Sequence, residues 1–219
     1  MLIVRFSPID NKELGTDPLF GILDGENIKV IKGDPIYAGI TPTGASVKLS
    51  DVRLLAPVIP RSKVVCVGKN YADHAKEMDS QVPEQPVIFL KPNTSVIGPN
   101  DLIQWPKMSE RVDFEGELAI VISRICKDVP KEKARDVIFG YTIANDITAR
   151  DLQKVDGQWN RAKGFDTFCP LGPWIETDFQ PADQKIITKL KKTDDFTVDE
   201  KHKNIILTES GVTAVEKLL

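Results

Sequence analysis

Asp113, Glu115 and Glu117 stand two residues apart. On an extended strand that spacing puts all three carboxylates on one face, in steps of about 7 Å. Like charges that close repel one another, and the arrangement is costly unless something positive sits among them. A hard divalent cation with oxygen ligands meets that need. Mg²⁺ characteristically takes a few carboxylates and leaves positions for water and substrate. The next residues, Leu118-Ala119-Ile120-Val121-Ile122, are of core type, so the acids read as the rim of a site rather than a solvated face. Asp146 repeats the pattern, because an apolar run over residues 138–144 ends at Asn145-Asp146 just before a helix start. Taken alone, Asp146 reads as a helix cap; beside the glutamates it becomes another candidate ligand.

Two further groups could carry chemistry. His74 and Glu77 are three apart and share a face if the segment is helical. An imidazole beside a carboxylate makes a general base whose tautomer and pKa its partner sets. His74 also follows a strand-like run and the turn Gly68-Lys69-Asn70-Tyr71, whereas the other histidine, His202, sits in the charged stretch Asp199-Glu200-Lys201-His202-Lys203. Lys91 and Lys163 interrupt apolar or small surroundings, Phe89-Leu90-Lys91-Pro92 and Ala162-Lys163-Gly164-Phe165. Leaving a strand beside Pro or Gly, each can aim an ammonium into a cleft and bind a carboxylate; the plainer reading is a snorkelling surface lysine.

The elements that must position these groups are mostly strands. Residues 19–23 and 28–31 are apolar runs joined across Asp24-Gly25, a hairpin signal. Residues 35–44 read as a loop punctuated by Pro and Gly, and residues 47–49 and 52–55 resume a strand pattern. Pro57 and Pro60 mark a boundary. Beyond it, residues 63–68 predict a buried strand, 71–78 a short helix, 87–90 a strand, 113–123 one continuous strand and 131–136 a short polar helix. Residues 139–145 predict a strand, 149–155 a helix and 170–175 extended chain. From about residue 184 the texture changes to a charge run, two strands around a turn at 201–203, and an amphipathic helix over 210–219.

The totals narrow the function. A chain of 219 residues, 41% hydrophobic and 28% charged, is long enough for a real core. A net charge of −3 provides no basic field for nucleic acid. No apolar run approaches a bilayer span, and residues 1–7 read as a strand rather than a signal peptide, so a cytoplasmic protein is expected. Cys66, Cys126 and Cys169 match neither a disulfide framework nor a zinc pattern and are expected to be reduced and mostly buried.

Taken together, Val64-Val65-Cys66-Val67-Gly68-Lys69-Asn70-Tyr71-Ala72-Asp73-His74 with Glu77-Met78 resembles the opening motif of the fumarylacetoacetate hydrolase family. Phe89-Leu90-Lys91-Pro92, Asp113-Phe114-Glu115-Gly116-Glu117-Leu118-Ala119, Asn145-Asp146-Ile147-Thr148-Ala149-Arg150-Asp151 and Lys163-Gly164-Phe165-Asp166 follow in the family's order. The resemblance covers roughly residues 1–180. It implies an α+β, mainly β fold: a mixed β-sandwich or roll, incomplete here, with a small N-terminal β domain over 1–58 and a catalytic domain over 59–183. It also implies Glu115, Glu117 and Asp146 as ligands of Mg²⁺ or Mn²⁺, with Asp113 a neighbour. His74 and Glu77 would activate water from a lid helix, and Lys163 would bind substrate near the ion. Arg150 and Gln153 would line the same pocket, and Lys91 is carried over as a further substrate-binding residue. The implied substrates are small 2-oxo or β-diketo acids, cleaved, decarboxylated or isomerised, and the implied assembly is a homodimer.

After Leu171-Gly172-Pro173-Trp174-Ile175 the family's further strands and its Thr-Gly-Thr-Pro loop do not follow. Residues 189–219 instead resemble a piece of the preprotein-binding region of the bacterial Sec translocase motor ATPase, without any Gly-x-x-x-x-Gly-Lys-Ser/Thr loop. The reading is therefore a truncated hydrolase joined to a foreign or divergent tail. Three expectations compete: an active metal-dependent enzyme, an inactive fragment, and a binding module that uses the tail.

Overall fold

In the computed structural model, residues 1–11, 13–71, 83–182, 186, 196–199 and 204–207 are described. The first strands are β1 (Leu2–Pro8), β2 (Leu19–Asp24), β3 (Asn27–Ile31), β4 (Pro42–Lys48) and β5 (Val52–Leu55). β2 and β3 form the expected hairpin, pairing Asp24 with Asn27. Gly25 takes φ 59°, a left-handed value that glycine adopts without a Cβ penalty. Residues 35–44, read as loop, instead hold a turn of helix, α1 (Pro35–Ala38), and the start of β4. Asp34 caps α1 by accepting the Ile36 N–H, and a proline opens the helix, a common arrangement at helix starts.

The later strands are β6 (Lys63–Gly68), β7 (Val87–Pro92), β8 (Val96–Ile97), β9 (Ile103–Gln104), β10 (Val112–Asp113), β11 (Gly116–Ile122), β12 (Ile138–Asn145), β13 (Thr148–Ala149) and β14 (Cys169–Glu176). The helices α2 (Arg150–Val155) and α3 (Asn160–Lys163) lie between β13 and β14. The main sheet runs β11-β12-β14-β1-β2-β3-β4, with β5 also on β1 and β8 on β14. The N-terminal strands thus share one sheet with the rest through β1 and β14. β1 is covered on both faces. Val4 and Phe6 pack with Ile28, Val30, Val47 and Val52, while Ile3 packs with Val121 and Ile175. Each such side chain contributes about 1.5–3 kcal/mol on burial.

Three readings of local structure are corrected. Residues 113–123 are not one strand: β10 ends at Asp113, Phe114 and Glu115 lie outside any strand, and β11 begins at Gly116. β10 pairs with β13, and β11 with β12, so the chain changes partner between the acids. Residues 63–68 are not buried on both sides. Among the described residues β6 pairs only with β7, in a two-stranded sheet that turns Cys66, Phe89 and Lys91 inward. Its other face leaves Val65, Val67, Ile88 and Leu90 between 38% and 61% exposed. Among the cysteines, Cys126 is exposed; Cys169 is buried, Cys66 is half-buried, and all three are free.

β15 (Phe196–Asp199) and β16 (Asn204–Leu207) pair with each other, and β16 also pairs with β9. The helices expected over 71–78 and 210–219, the charge run over 189–195 and His202 lie outside the described residues. Among the described residues no helix is long and apolar enough to cross a membrane.

Candidate functional site

Backbone pairing brings the acids together before any side chain is considered. Glu115 N–H donates to Asn145 Oδ1 at 3.1 Å, and Asp146 N–H donates to the Glu115 carbonyl at 2.8 Å. One register step along β11, Glu117 faces Ala144. All three acids line a cavity of about 230 Å³ together with Tyr71, Arg150, Gln153, Trp159 and Lys163. Asp113 is not in that lining. Its carboxylate is turned away and held by Arg111 at 3.0 Å and Arg150 at 2.8 Å, because the break at Phe114–Glu115 rotates it off the face that the acids share.

Two cations neutralise most of the cluster. Lys163, only 2% exposed, donates to Glu115 Oε2 at 2.9 Å, Asp146 Oδ2 at 2.5 Å and Thr148 Oγ1 at 2.7 Å. Arg150 donates to Asp113, to Glu115 Oε1 and to Gln153 Oε1, the last at 2.6 Å. Gln153 spends its carbonyl on this bond, so its NH₂ remains a donor for other acceptors. Burial would push the Glu115 carboxyl up, but Lys163 and Arg150 outweigh it and hold that group below its ordinary range. Glu117 forms no ion pair among the described residues: burial, with Asp146 and Glu115 nearby, raises its carboxyl to about 7 against the opposing hydrogen bond from Tyr71 and the charge of Lys163.

Lys91 is placed differently from the sequence expectation. It is 1% exposed and absent from the cavity lining. Burial within the fold behind Asp146 therefore corrects its reading as a substrate-binding residue. Its ammonium donates to the carbonyls of Ile147 at 3.0 Å, Lys163 at 2.5 Å and Phe168 at 2.8 Å. It also lies 2.7 Å from Asp146 Oδ1, yet that oxygen accepts no hydrogen bond from the described residues. The two observations agree once protons are counted: an ammonium has three, and all go to carbonyls. The contact with Asp146 is one of charge alone.

The acids suit a cation in their chemistry, though not yet in their placement. Three carboxylates at one cavity form an oxygen-only donor set of the kind that hard divalent ions take. Asp146 Oδ1 faces Lys91, which lies outside the cavity lining, and Glu117 forms no ion pair among the described residues. Against this, among the described residues no group of three His, Cys, Asp or Glu is arranged to hold a metal ion; the Lys163 ammonium already bridges Glu115 and Asp146. The residues fit such an ion provided Lys163 yields part of that position. His74 and Glu77 lie outside the described residues.

Sequence reasoning missed the aromatic side of the cavity. Phe89 and Trp159 meet edge to face with centroids 5.6 Å apart, a favoured aromatic geometry. Gly68 admits the Trp159 ring, which any Cβ there would strike. Tyr71 accepts the Leu118 N–H at 3.4 Å and hydrogen-bonds Glu117. Trp159 follows a Gly157 turn and lies one helical turn before Lys163, whose N–H bonds its carbonyl. That spacing was the available signal.

Residues 63–208 match the family described as fumarylacetoacetate (FAA) hydrolase C-terminal, and residues 1–57 match the family described as Rv2993c-like, N-terminal. The chain is 64% identical over 151 residues to Protein Rv2993c of Mycobacterium tuberculosis, covering 68% of this chain and 57% of that protein. It thus spans little more than half the length of the curated relatives it matches. A solved 2-hydroxyhepta-2,4-diene-1,7-dioate isomerase from Mycobacterium marinum is 49% identical, with TM-score 0.74, covering 86% of this chain and 71% of that one. A solved maleylpyruvate hydrolase from Sphingobium sp. SYK-6, in complex with manganese(II) and pyruvate, is 28% identical, with TM-score 0.59, covering 81% and 67% of the two chains.

Proposed function

Because this chain belongs to the fumarylacetoacetate hydrolase family, we propose that it is a divalent-metal-dependent enzyme acting on a small 2-oxo or β-diketo acid. The observation that carries the reading is the convergence of three carboxylates, Glu115, Glu117 and Asp146, on one cavity, with Glu117 in no ion pair among the described residues. Glu115, Glu117 and Asp146 would hold Mg²⁺ or Mn²⁺. When bound, the ion supplies a Lewis acid for the oxygens of a 2-oxo-carboxylate.

The chain's own groups would do the rest. Lys163 presents an ammonium at the acids and would bind the substrate's oxo or carboxylate end. Arg150 fixes the orientation of Gln153, whose free NH₂ would donate to the same molecule. Phe89 and Trp159 would cover the carbon skeleton and exclude water. His74, with Glu77 setting its tautomer, is assigned the proton transfer to and from water.

Cleavage of a C–C bond in an acylpyruvate-like substrate, or decarboxylation of oxaloacetate, is the first reading. Isomerisation of an unsaturated hydroxy/oxo diacid is the second, favoured by the 49% identity to an isomerase. A homodimer belongs to the proposal, and light scattering of the purified chain tests it. The translocase-like reading of residues 189–219 rests on the residues quoted above. The hydrolase-family match to residue 208 and the pairing of β16 with β9 weigh against it.

The test is turnover of an acylpyruvate, oxaloacetate and a hydroxydienedioate by the whole chain, before and after EDTA and after added Mg²⁺ or Mn²⁺. Loss with chelator and recovery with metal is expected, and Glu117→Ala should abolish metal binding while Asp113→Ala weakens it less. Turnover indifferent to EDTA sinks the metal assignment, and absence of turnover on all three substrates overturns the proposed activity.

A further inference from the structure

We propose that Lys91 is a positioning residue, which locks Asp146 and Lys163 into register with each other without touching substrate. The inference rests on the cavity being the functional site, but on no particular substrate. Lys91 projects inward from β7, because strand alternation puts it on the same side as Phe89 and opposite Leu90 and Pro92. Its three protons go to carbonyls 56, 72 and 77 residues away in sequence. One of those carbonyls belongs to Ile147, the residue after Asp146. Another belongs to Lys163 itself, and the third, that of Phe168, immediately precedes β14. A single ammonium therefore ties together the two segments that deliver Asp146 and Lys163 to the cavity.

The charge matters as well as the donors. Asp146 is 6% exposed, and a buried carboxylate is costly unless it is paired. Lys163 meets Oδ2, and Lys91 stands beside Oδ1 at 2.7 Å without donating to it. Asp146 is thereby held at both oxygens, by a hydrogen bond at Oδ2 and by an adjacent charge at Oδ1. An ordinary core residue could fill the same volume, but could not combine a fixed charge with three convergent donors. Arginine could not either, since its guanidinium spreads its donors across a planar fork.

Lys91→Met keeps the length of the side chain and removes both charge and donors. Mn²⁺ titrated into the whole chain, followed by calorimetry, should bind about 10- to 100-fold more weakly, the usual scale for losing a group that orients a ligand. Amide hydrogen exchange should quicken over residues 146–150 and 162–168, while β1–β3 keep wild-type protection. Lys91→Arg, retaining charge, should also fold and weaken Mn²⁺ at least tenfold; it carries the test if the Met variant does not fold. Unchanged or tighter Mn²⁺ binding in the folded variant overturns the proposal, as does exchange that rises uniformly, which would mark a merely structural lysine. If the wild-type chain binds no Mn²⁺, the metal reading falls and Lys91 is judged on the exchange pattern, where wild-type protection at both segments overturns it.

Discussion

Lys163→Met removes a charge from a position that is 2% exposed, at nearly constant side-chain length. The ammonium stands 2.9 Å from Glu115 and 2.5 Å from Asp146. At an effective dielectric constant of about 20, each contact carries roughly 6 kcal/mol of gross attraction. Desolvation offsets most of this, and removing one partner of a buried pair costs about 3–5 kcal/mol net. In a chain of this size each kcal/mol moves Tm by roughly 2–4 °C, so the variant should melt roughly 6–20 °C lower in EDTA. Excess Mn²⁺ should then raise the variant's Tm by more than the wild type's, because the ion takes over two carboxylates that Lys163 otherwise neutralises. Saturation at about 100 times Kd is worth about 2.7 kcal/mol. Circular dichroism melts in EDTA and in excess MnCl₂ supply the four values. A variant melting with the wild type in EDTA refutes the buried-pair argument. A metal-induced rise no larger than the wild type's refutes the claim that Lys163 and the ion share a position.

Three further outcomes are expected. Glu117 keeps its proton up to about pH 7 in the metal-free chain, so Mn²⁺ must displace that proton below pH 7. Apparent affinity should rise about tenfold per pH unit up to that point and then level; calorimetry in buffers of different ionisation enthalpy checks this, and a flat profile from pH 5.5 to 8 contradicts it. The same raised carboxyl makes the metal-free protein lose stability as pH climbs from 4.5, the ordinary value, towards about 7, since the folded state retains the proton longer than the unfolded one. Gly68→Ala drives a methyl into the Trp159 ring and should cost about 1–3 kcal/mol and raise KM. Trp159→Leu in the same background should restore Tm, and failure to do so would show that the strain lies elsewhere.

Much of the architecture was legible locally. The β2–β3 hairpin announced itself in two apolar runs and Asp24-Gly25, because turn chemistry acts over a few residues. The strand ending at Asn145-Asp146 followed from its apolar run in the same way. Other elements were misread where tertiary partners overrode pattern. The run over 113–123 alternates like a single strand, yet Glu115 sits at a break because β10 and β11 pair with different strands. The apolar run over 63–68 looked buried, but a two-stranded sheet covers only one of its faces. Lys91 looked like a cleft lysine because Pro92 follows it, and nothing within several residues signals the carbonyls it reaches.

Residue types and short-range spacing alone determined that this chain carries Glu115, Glu117, Asp146, Lys163, Arg150 and Gln153 in an order that resembles a known family. Only the tertiary structure decided which charges meet: Asp113 with Arg111 and Arg150, Lys163 between Glu115 and Asp146, Lys91 behind Asp146, and Glu117 in no ion pair among the described residues. The physical reason is range. Alternation and turn propensity act through neighbouring residues, whereas a buried charge is satisfied by whatever the folded chain brings within about 3 Å. For Lys91 and Lys163 those partners lie 15 to 77 residues away.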